Sequence, residues 1–103
     1  MSGFDYDYSK MLLANGEPAT DGTKKIYRAA LNRLSKGGFS NREALLNKSR
    51  EIIPFIRENY DTNMKKRVVL SAMFRVIQDV PESNRAKTRY YKFFQTCKDP
   101  RTE

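Results

Sequence analysis

The longest regular pattern of hydrophobic and polar positions in the chain ends just before Pro81. Its apolar members are Val68, Val69, Ala72, Met73, Val76, Ile77 and Val80. They recur at i, i+1 and i+4 over about three turns of a helix with 3.6 residues per turn. The pattern predicts a helix that forms the centre of the core and stops at Pro81, which cannot continue it.

Shorter stretches with the same spacing predict four more helices. They run from about Thr23 to Lys36, from Asn41 to Asn47 after a capping box that starts at Ser40, from Arg50 to about Tyr60 after Ser49 as cap, and from about Asn84 to Cys97. Gly37 and Gly38 stop the first of these. Pro54 lies about one turn inside the third, where it removes a backbone hydrogen bond and is expected to kink or tighten the helix. With no strand-like alternation, the predicted fold is all-α, a small bundle of four to five helices.

The first 22 residues differ in composition from the rest. Phe4, Tyr6 and Tyr8 stand among acidic and small residues, and a break follows at residues 16–18. This composition predicts a flexible N-terminal arm over residues 1–22, a helical domain over residues 23–98 and a short tail or linker over residues 99–103. In an alternative interpretation, the arm packs on a neighbouring subunit or covers part of a basic face.

The chain carries a formal net charge of +8, and the charge is unevenly distributed. Residues 1–22 hold one Lys against four Asp or Glu, whereas residues 23–98 hold 18 Lys or Arg against 6 Asp or Glu. A potential of this size attracts nucleic acid, anionic membranes or acidic proteins, and nucleic acid is the commonest such partner of small basic domains.

Composition also excludes several classes of chemistry. Cys97 is the only cysteine and there is no histidine, so an intrachain disulfide and a Cys/His zinc site are both excluded. No cofactor or metal is expected. There is no apolar run of about 20 residues and no secretion signal, which predicts an intracellular protein, cytoplasmic or nuclear. A role at a membrane surface ranks third among the hypotheses, because the apolar stripes are mostly required for the core, and no membrane partner is expected. Tyr90 and Tyr91 are interpreted as core and core-edge aromatic residues, because no base accompanies them as it would a nucleophile.

Three predicted helices begin with cations, which oppose the partial positive charge of a helix N-terminus by about 0.3–1 kcal/mol per exposed charge. The three starts are Thr23-Lys24-Lys25, Asn63-Met64-Lys65-Lys66-Arg67 and Asn84-Arg85-Ala86-Lys87. A docked phosphate would meet free backbone N–H groups and cationic side chains together at such an end. The alternative is that these are ordinary solvated lysines and arginines.

The order of these segments resembles the N-terminal core-binding domain of tyrosine recombinases and phage-type integrases. The matching features are a Thr-Lys-Lys-x-Tyr-x-x-x-Leu-x-x-Leu segment (residues 23–34), Phe55-Ile56-x-x-Asn59-Tyr60, the cationic run of residues 63–67 leading into Leu70-Ser71-Ala72, and Lys87-x-x-Tyr90-Tyr91-x-x-Phe94. The resemblance covers residues 23–98. It implies a SAM-like helical bundle that packs on one side of duplex DNA as half of a C-shaped clamp.

The resemblance places Lys24, Lys25, Arg28, Lys65, Lys66 and Arg67 against the DNA, and most of these also belong to the cationic helix starts. Arg85 and Arg89 are added from the third cationic start and from their i, i+4 spacing on the last helix. Asn63 and Arg67 reach base edges if the helix start enters the major groove. The predicted partner is double-stranded DNA.

The chain also departs from that family. The catalytic domain of a recombinase needs Arg, Lys and His residues around a tyrosine nucleophile, and this chain has no histidine. No enzymatic activity is therefore expected, and the chain is either a fragment of a longer recombinase-like protein or a stand-alone DNA-binding derivative. A second copy of the chain in a homo-oligomer, or a catalytic domain in a full-length protein, is the further partner to expect. The competing hypothesis is a structural or assembly module that binds another protein through the N-terminal arm.

Overall fold

The fold consists of helices connected by short segments. The computed structural model describes residues 3–13, 15–78 and 80–97. Five α-helices lie there: α1 (Asp21–Lys36), α2 (Arg42–Asn47), α3 (Ser49–Asn59), α4 (Asn63–Ile77) and α5 (Asn84–Thr96). Single 3-10 turns at Tyr8–Lys10 and Pro81–Ser83 precede α1 and α5. The predicted all-α bundle is confirmed, whereas the predicted tail (residues 99–103) and Lys98 lie outside the described residues.

Helix α4 is the centre of the core, as predicted. Its buried residues are Val69, Leu70, Ala72, Met73, Val76 and Ile77, and it packs against α1, α2 and α5. The helix ends at Ile77 and not at the predicted Val80. Val80 has an extended backbone because the residue before a proline is disfavoured in the helical conformation.

Helices α1 and α4 run antiparallel. The Gln78 side-chain amide donates to the Leu12 carbonyl at 3.3 Å, which brings the end of α4 to the segment that leads into α1. The Tyr60 hydroxyl donates to the Ala30 carbonyl at 2.8 Å, which brings the residues before α4 to the second half of α1. The first turn of α1 and the first turn of α4 therefore lie at opposite ends of the bundle.

Helix α1 begins at Asp21, two residues before the predicted start. The Thr20 hydroxyl accepts a hydrogen bond from the Thr23 N–H at 3.2 Å, so Thr20 is the N-cap and Asp21 supplies an acidic first turn. Lys24 and Lys25 lie beyond that turn. The prediction of a cationic start was wrong for α1, because the capping threonine was overlooked in a segment assigned to the arm.

Two other caps differ from the prediction. Asn41, and not Ser40, caps α2 through a 2.9 Å bond from the Ala44 N–H to its side-chain oxygen. Ser49 is the first residue of α3 and not its cap. Helix α3 continues through Pro54 without a break. These shifts move helix ends by one or two residues and leave the packing order unchanged.

The predicted stop of α1 at Gly37 and Gly38 is confirmed, and packing explains the first glycine. A Cβ atom at Gly37 would collide with the Phe55 ring of α3. Gly38 has φ +96, a left-handed conformation that glycine adopts without strain. Glycine at these two positions lets α1 end against α3 and lets the chain turn toward α2.

The N-terminal segment is packed against the helices, so the prediction of a flexible arm was wrong. Phe4, Tyr8, Met11 and Ala19 are all buried in the core. The Phe4 N–H donates to the Asn32 side chain at 2.9 Å, and the Asp5 N–H donates to the Ser40 carbonyl at 2.6 Å. The composition of the segment did not predict this packing, because its apolar residues complete the core formed with α1 and α4 and do not form a regular helix of their own.

Met11 and Leu12 test this packing as a matched pair, because Met11 is fully buried and Leu12 is 41% exposed. Met11→Ala is expected to lower the free energy of unfolding by about 2–5 kcal/mol through the cavity it leaves. Leu12→Ala should change it by less than about 1 kcal/mol. Urea denaturation followed by circular dichroism measures both, and equal small losses would show that the segment is not part of the core.

Among the described residues, one buried tyrosine hydroxyl is hydrogen-bonded and another is not. The Tyr90 hydroxyl donates to the Leu45 carbonyl at 2.5 Å and ties α5 to α2. The Tyr8 hydroxyl is buried and has no hydrogen-bond partner among the described residues. Losing a satisfied buried hydrogen bond costs free energy, whereas losing an unpaired hydroxyl removes a desolvation penalty.

Tyr90→Phe is therefore expected to lower the free energy of unfolding by about 1–3 kcal/mol. Tyr8→Phe should leave that free energy unchanged or raise it. The midpoints and slopes of urea denaturation distinguish the two. A loss in Tyr8→Phe as large as that in Tyr90→Phe would mean that the Tyr8 hydroxyl has a partner.

Candidate nucleic-acid interface

The start of α4 is the clearest cationic helix end in the structure. Thr62 caps the helix, accepting from the Lys65 N–H through its hydroxyl at 3.1 Å and from the Lys66 N–H through its carbonyl at 3.0 Å. Asn63 and Met64, the first two helical residues, are exposed. The first turn holds no carboxylate, so the prediction of a cationic start is confirmed for this helix.

One nearby carboxylate offsets part of this charge. The Lys65 ammonium lies 3.9 Å from the Asp61 carboxylate, and the two side chains are 54% and 75% exposed. An exposed pair of this kind contributes at most about 1 kcal/mol and is weakened by salt. Lys65 therefore remains available to an anion, and Lys66 and Arg67 follow it directly on the helix.

Arg33 joins this end of the bundle from α1, and the sequence-based prediction missed it. Its guanidinium lies 5.2 Å from the centroid of the Tyr60 ring, and Tyr60 is held to α1 by its bond to Ala30. Arg33 and Lys65 thus contact neighbouring residues of the loop before α4. The helical spacing of Arg33 from Lys25 and Lys36 was the signal in the sequence that could have identified Arg33.

The exposed side of α1 connects the two ends of the bundle. Lys25, Arg33 and Lys36 are exposed. Arg33 and Lys36 follow Lys25 by eight and eleven residues, which places all three on one side of the helix. They extend over about 16 Å at 1.5 Å per residue. We define the α1–α4 basic surface as these three residues together with three from the start of α4: Lys25, Arg33, Lys36, Lys65, Lys66 and Arg67.

Lys24 and Arg28 lie near the first turn of α1, far from the start of α4. They border a depression of about 350 Å³ shared with Tyr8, Ser9 and Asp21. The Arg28 guanidinium lies 4.7 Å from the centroid of the Tyr8 ring, and burial raises the pKa of the Tyr8 hydroxyl. The N-terminal segment thus contacts the cationic side of α1 at Arg28.

Arg85 and Arg89 belong to a third group, with Arg50 of α3 as a neighbour that the sequence-based prediction missed. They line a depression of about 370 Å³ between α3 and α5, and Arg89 donates to the Ser49 hydroxyl at 3.2 Å. The start of α5 is not an open helix end, because the Pro81–Ser83 turn precedes it and Ser83 is fully buried. Helix α5 does begin at Asn84 without a carboxylate in its first turn, so the predicted cationic start is confirmed, but the preceding turn closes this end.

The structure therefore separates the predicted DNA-contacting residues into three groups. Asn63, Lys65, Lys66 and Arg67 lie at one end of the bundle. Lys24, Lys25 and Arg28 lie toward the opposite end of α1, with Lys25 on the exposed side that links the two. Arg85 and Arg89 lie apart, between α3 and α5. Arg33 of α1, beside Tyr60, stands between Lys25 and the first group.

Neither a metal-binding cluster nor a membrane-spanning helix is found among the described residues. Among residues 3–13, 15–78 and 80–97, no group of three His, Cys, Asp or Glu side chains could hold a metal ion. None of the helices in these ranges combines the length and the apolar character that crossing a bilayer requires. Cys97 is buried as a free thiol at the end of α5, as expected of a small core residue.

Comparison with known proteins gives no match to a family, to a curated protein or to a solved structure. The resemblance to the core-binding domain of tyrosine recombinases thus remains a prediction from the residue pattern. The cationic surface is the feature from which a function can be inferred.

The burial of Tyr60 and Tyr90 makes the fold sensitive to alkaline pH. Burial raises the pKa of both hydroxyls above that of an exposed tyrosine. The unfolded chain then loses these protons first, at a pH of about 10, so the free energy of unfolding is expected to fall as the pH rises above that value. Urea denaturation at a series of alkaline pH values measures the slope. Tyr60→Phe should reduce it, and an unchanged slope would contradict the assignment.

Proposed function

We propose that this chain is a non-enzymatic module that binds double-stranded DNA through the α1–α4 basic surface. The observation that carries the proposal is the start of α4, where three consecutive cations follow the exposed residues Asn63 and Met64 and Arg33 stands beside them. Backbone N–H groups and cationic side chains at one helix end are suited to a phosphate oxygen.

The length of the surface favours duplex DNA over a small anion as its ligand. The cations of α1 extend over about 16 Å, whereas duplex DNA presents one charge per about 1.7 Å of helix axis. Several phosphates can therefore be contacted at once. Lys24 and Arg28 extend the surface at the far end of α1.

The chemistry of the surface favours backbone contact over base readout. Lys and Arg side chains neutralise phosphates and fix orientation without reading sequence. Asn63 and Arg67 are the residues whose hydrogen-bonding groups suit base edges, provided that the start of α4 enters the major groove. We infer a mainly sequence-independent grip to which these two residues can add discrimination.

The competing assembly role would use the aromatic residues of the N-terminal segment. Phe4 and Tyr8 are buried within this chain's own core, and Tyr6 is half-buried with its ring 5.3 Å from that of Tyr8. These rings are occupied inside the domain and are poorly placed to anchor a partner. The structure therefore offers this role less support than DNA binding.

The resemblance to a recombinase core-binding domain extends the proposal. A domain that grips duplex backbone from one side is suited to serve as half of a clamp in a recombinase-like protein. A catalytic domain or a second copy of the chain is the proposed complement, since the surface covers one side of the duplex only.

Changing Lys65, Lys66 and Arg67 together to Ala is expected to weaken duplex binding across all sequences. The slope of log K against log salt should fall by about 0.9 for each phosphate that the variant no longer neutralises. Fluorescence anisotropy with a labelled duplex of about 30 base pairs, titrated over salt, measures both quantities.

The matched control changes Lys10, Lys48 and Lys92 to Ala, which removes the same charge at exposed positions outside the surface. Equal loss in both triple variants would reduce the interaction to general charge attraction. Heparin as competitor provides a second check, because a duplex-binding surface should prefer DNA to a polyanion of another shape.

A further inference from the structure

A second surface lies between α4 and α5, on the hairpin that these two helices form. It is an apolar groove of about 690 Å³. We define the α4–α5 groove by Phe74, Arg75, Lys87, Tyr91 and Lys92, which line it together with polar side chains of both helices. None of these residues belongs to the α1–α4 basic surface.

The floor of the groove is aromatic and partly unoccupied. Phe74 packs against Phe94 with ring centroids 6.3 Å apart, which fixes the base of the groove to the core. Tyr91 is 56% exposed, one of the few large hydrophobic side chains of the described residues that are left open to solvent. A concave apolar floor beside an exposed aromatic ring is the usual form of a protein-binding groove.

The rim of the groove is cationic. Arg75, Lys87 and Lys92 line it, and no described Asp or Glu does. The Lys87 ammonium donates to the Gln78 carbonyl at the end of α4 at 3.1 Å, so its position is fixed. Because the lining holds no carboxylate among the described residues, the groove presents positive charge around an apolar floor.

Arg75 places a guanidinium in the lining of the groove. Its Nε is buried and has no hydrogen-bond partner among the described residues. A buried donor without an acceptor destabilises the structure that holds it. Nε itself is shielded from solvent, so a carboxylate in the groove would pair with the remaining nitrogens of this guanidinium in a charge-assisted bond.

From this combination we propose that the α4–α5 groove binds an acidic amphipathic helix of a partner protein. Apolar side chains of the partner would occupy the floor at Phe74 and Tyr91, and its carboxylates would pair with Arg75 and Lys92. The stretch from Lys87 to Gln95 is about 12 Å long, which matches two to three turns of a helix. The module would then hold DNA on one side and an acidic protein on another.

Nucleic acid fits this groove less well than an acidic helix does. Base stacking on a single strand requires successive exposed aromatic rings, and Tyr91 is the one highly exposed ring among the described residues. Duplex phosphates would gain nothing from the apolar floor. The acidic segment of a second copy is also a poor occupant, because Phe4 and Tyr8 of that segment are buried in its own core.

The test uses a labelled helical peptide of about 18 residues with Leu at i, i+3, i+4 and i+7 and Glu at most other positions. Two control peptides have the same composition with the Leu residues scrambled around the helix, or Lys in place of Glu. Anisotropy should show binding of the first peptide and at least about tenfold weaker binding of both controls. In nitrogen-15 amide spectra of the protein, shifts should concentrate at residues 74, 75, 91 and 92.

The groove variant is Tyr91→Ala with Lys92→Glu, and its matched control is Ile26→Ala with Lys10→Glu. Each pair trims one exposed apolar side chain and reverses one exposed lysine. The groove variant should bind the acidic peptide about tenfold more weakly and duplex DNA as before. The Lys65, Lys66 and Arg67 triple variant should show the opposite pattern.

Three results would overturn the proposal. They are equal binding of the ordered and scrambled acidic peptides, equal affinity of the groove variant and its control, and self-association of the protein that the groove variant abolishes. The first would mean general charge attraction, the second a different binding surface, and the third that a second copy occupies the groove. Thermal unfolding of each variant confirms that the fold is intact before binding is compared.

Discussion

Burial of α4 is the constraint on which the rest of this structure depends. Six of its residues between Val69 and Ile77 are buried, and each of the helices α1, α2 and α5 covers part of it. A small domain has little apolar surface to bury, so one helix surrounded by the others is an economical way to form a core. The N-terminal segment completes this arrangement with Phe4, Tyr8 and Met11, which a core of this size needs.

This arrangement also determines where charge can collect. The apolar stripe of α4 begins about one turn after the helix does, so the first turn extends past the core and its cations reach solvent. Because α1 runs antiparallel to α4, the exposed side of α1 leads from that end to the opposite one. The cationic surface is thus a consequence of how the core helix is covered. The groove on the other side arises because α5 covers α4 incompletely beside Phe74.

Helices with strong apolar periodicity were the most predictable part of the fold. The stripe of α4 and the interpretation of Tyr90 on α5 as a core residue were correct, because helical period depends on local sequence alone. Helix ends were less predictable. The caps Thr20 and Asn41 each stand within three residues of another possible cap, Thr23 and Ser40, and a local pattern does not choose between such neighbours. The buried N-terminal segment was missed because its apolar residues follow no helical or strand period.

The candidate site was likewise predictable only in part. The sequence by itself determined the class of fold, the excess of positive charge and the open cationic start of α4, since these follow from composition and from the spacing of side chains along one helix. Only the tertiary structure decided which cations share a surface. It brought Arg33 beside the start of α4, placed Arg85 and Arg89 with Arg50 in a separate group, and covered Tyr8 with Arg28. The reason is physical: the antiparallel packing of α1 on α4 joins residues far apart in the chain, and no local pattern records that packing.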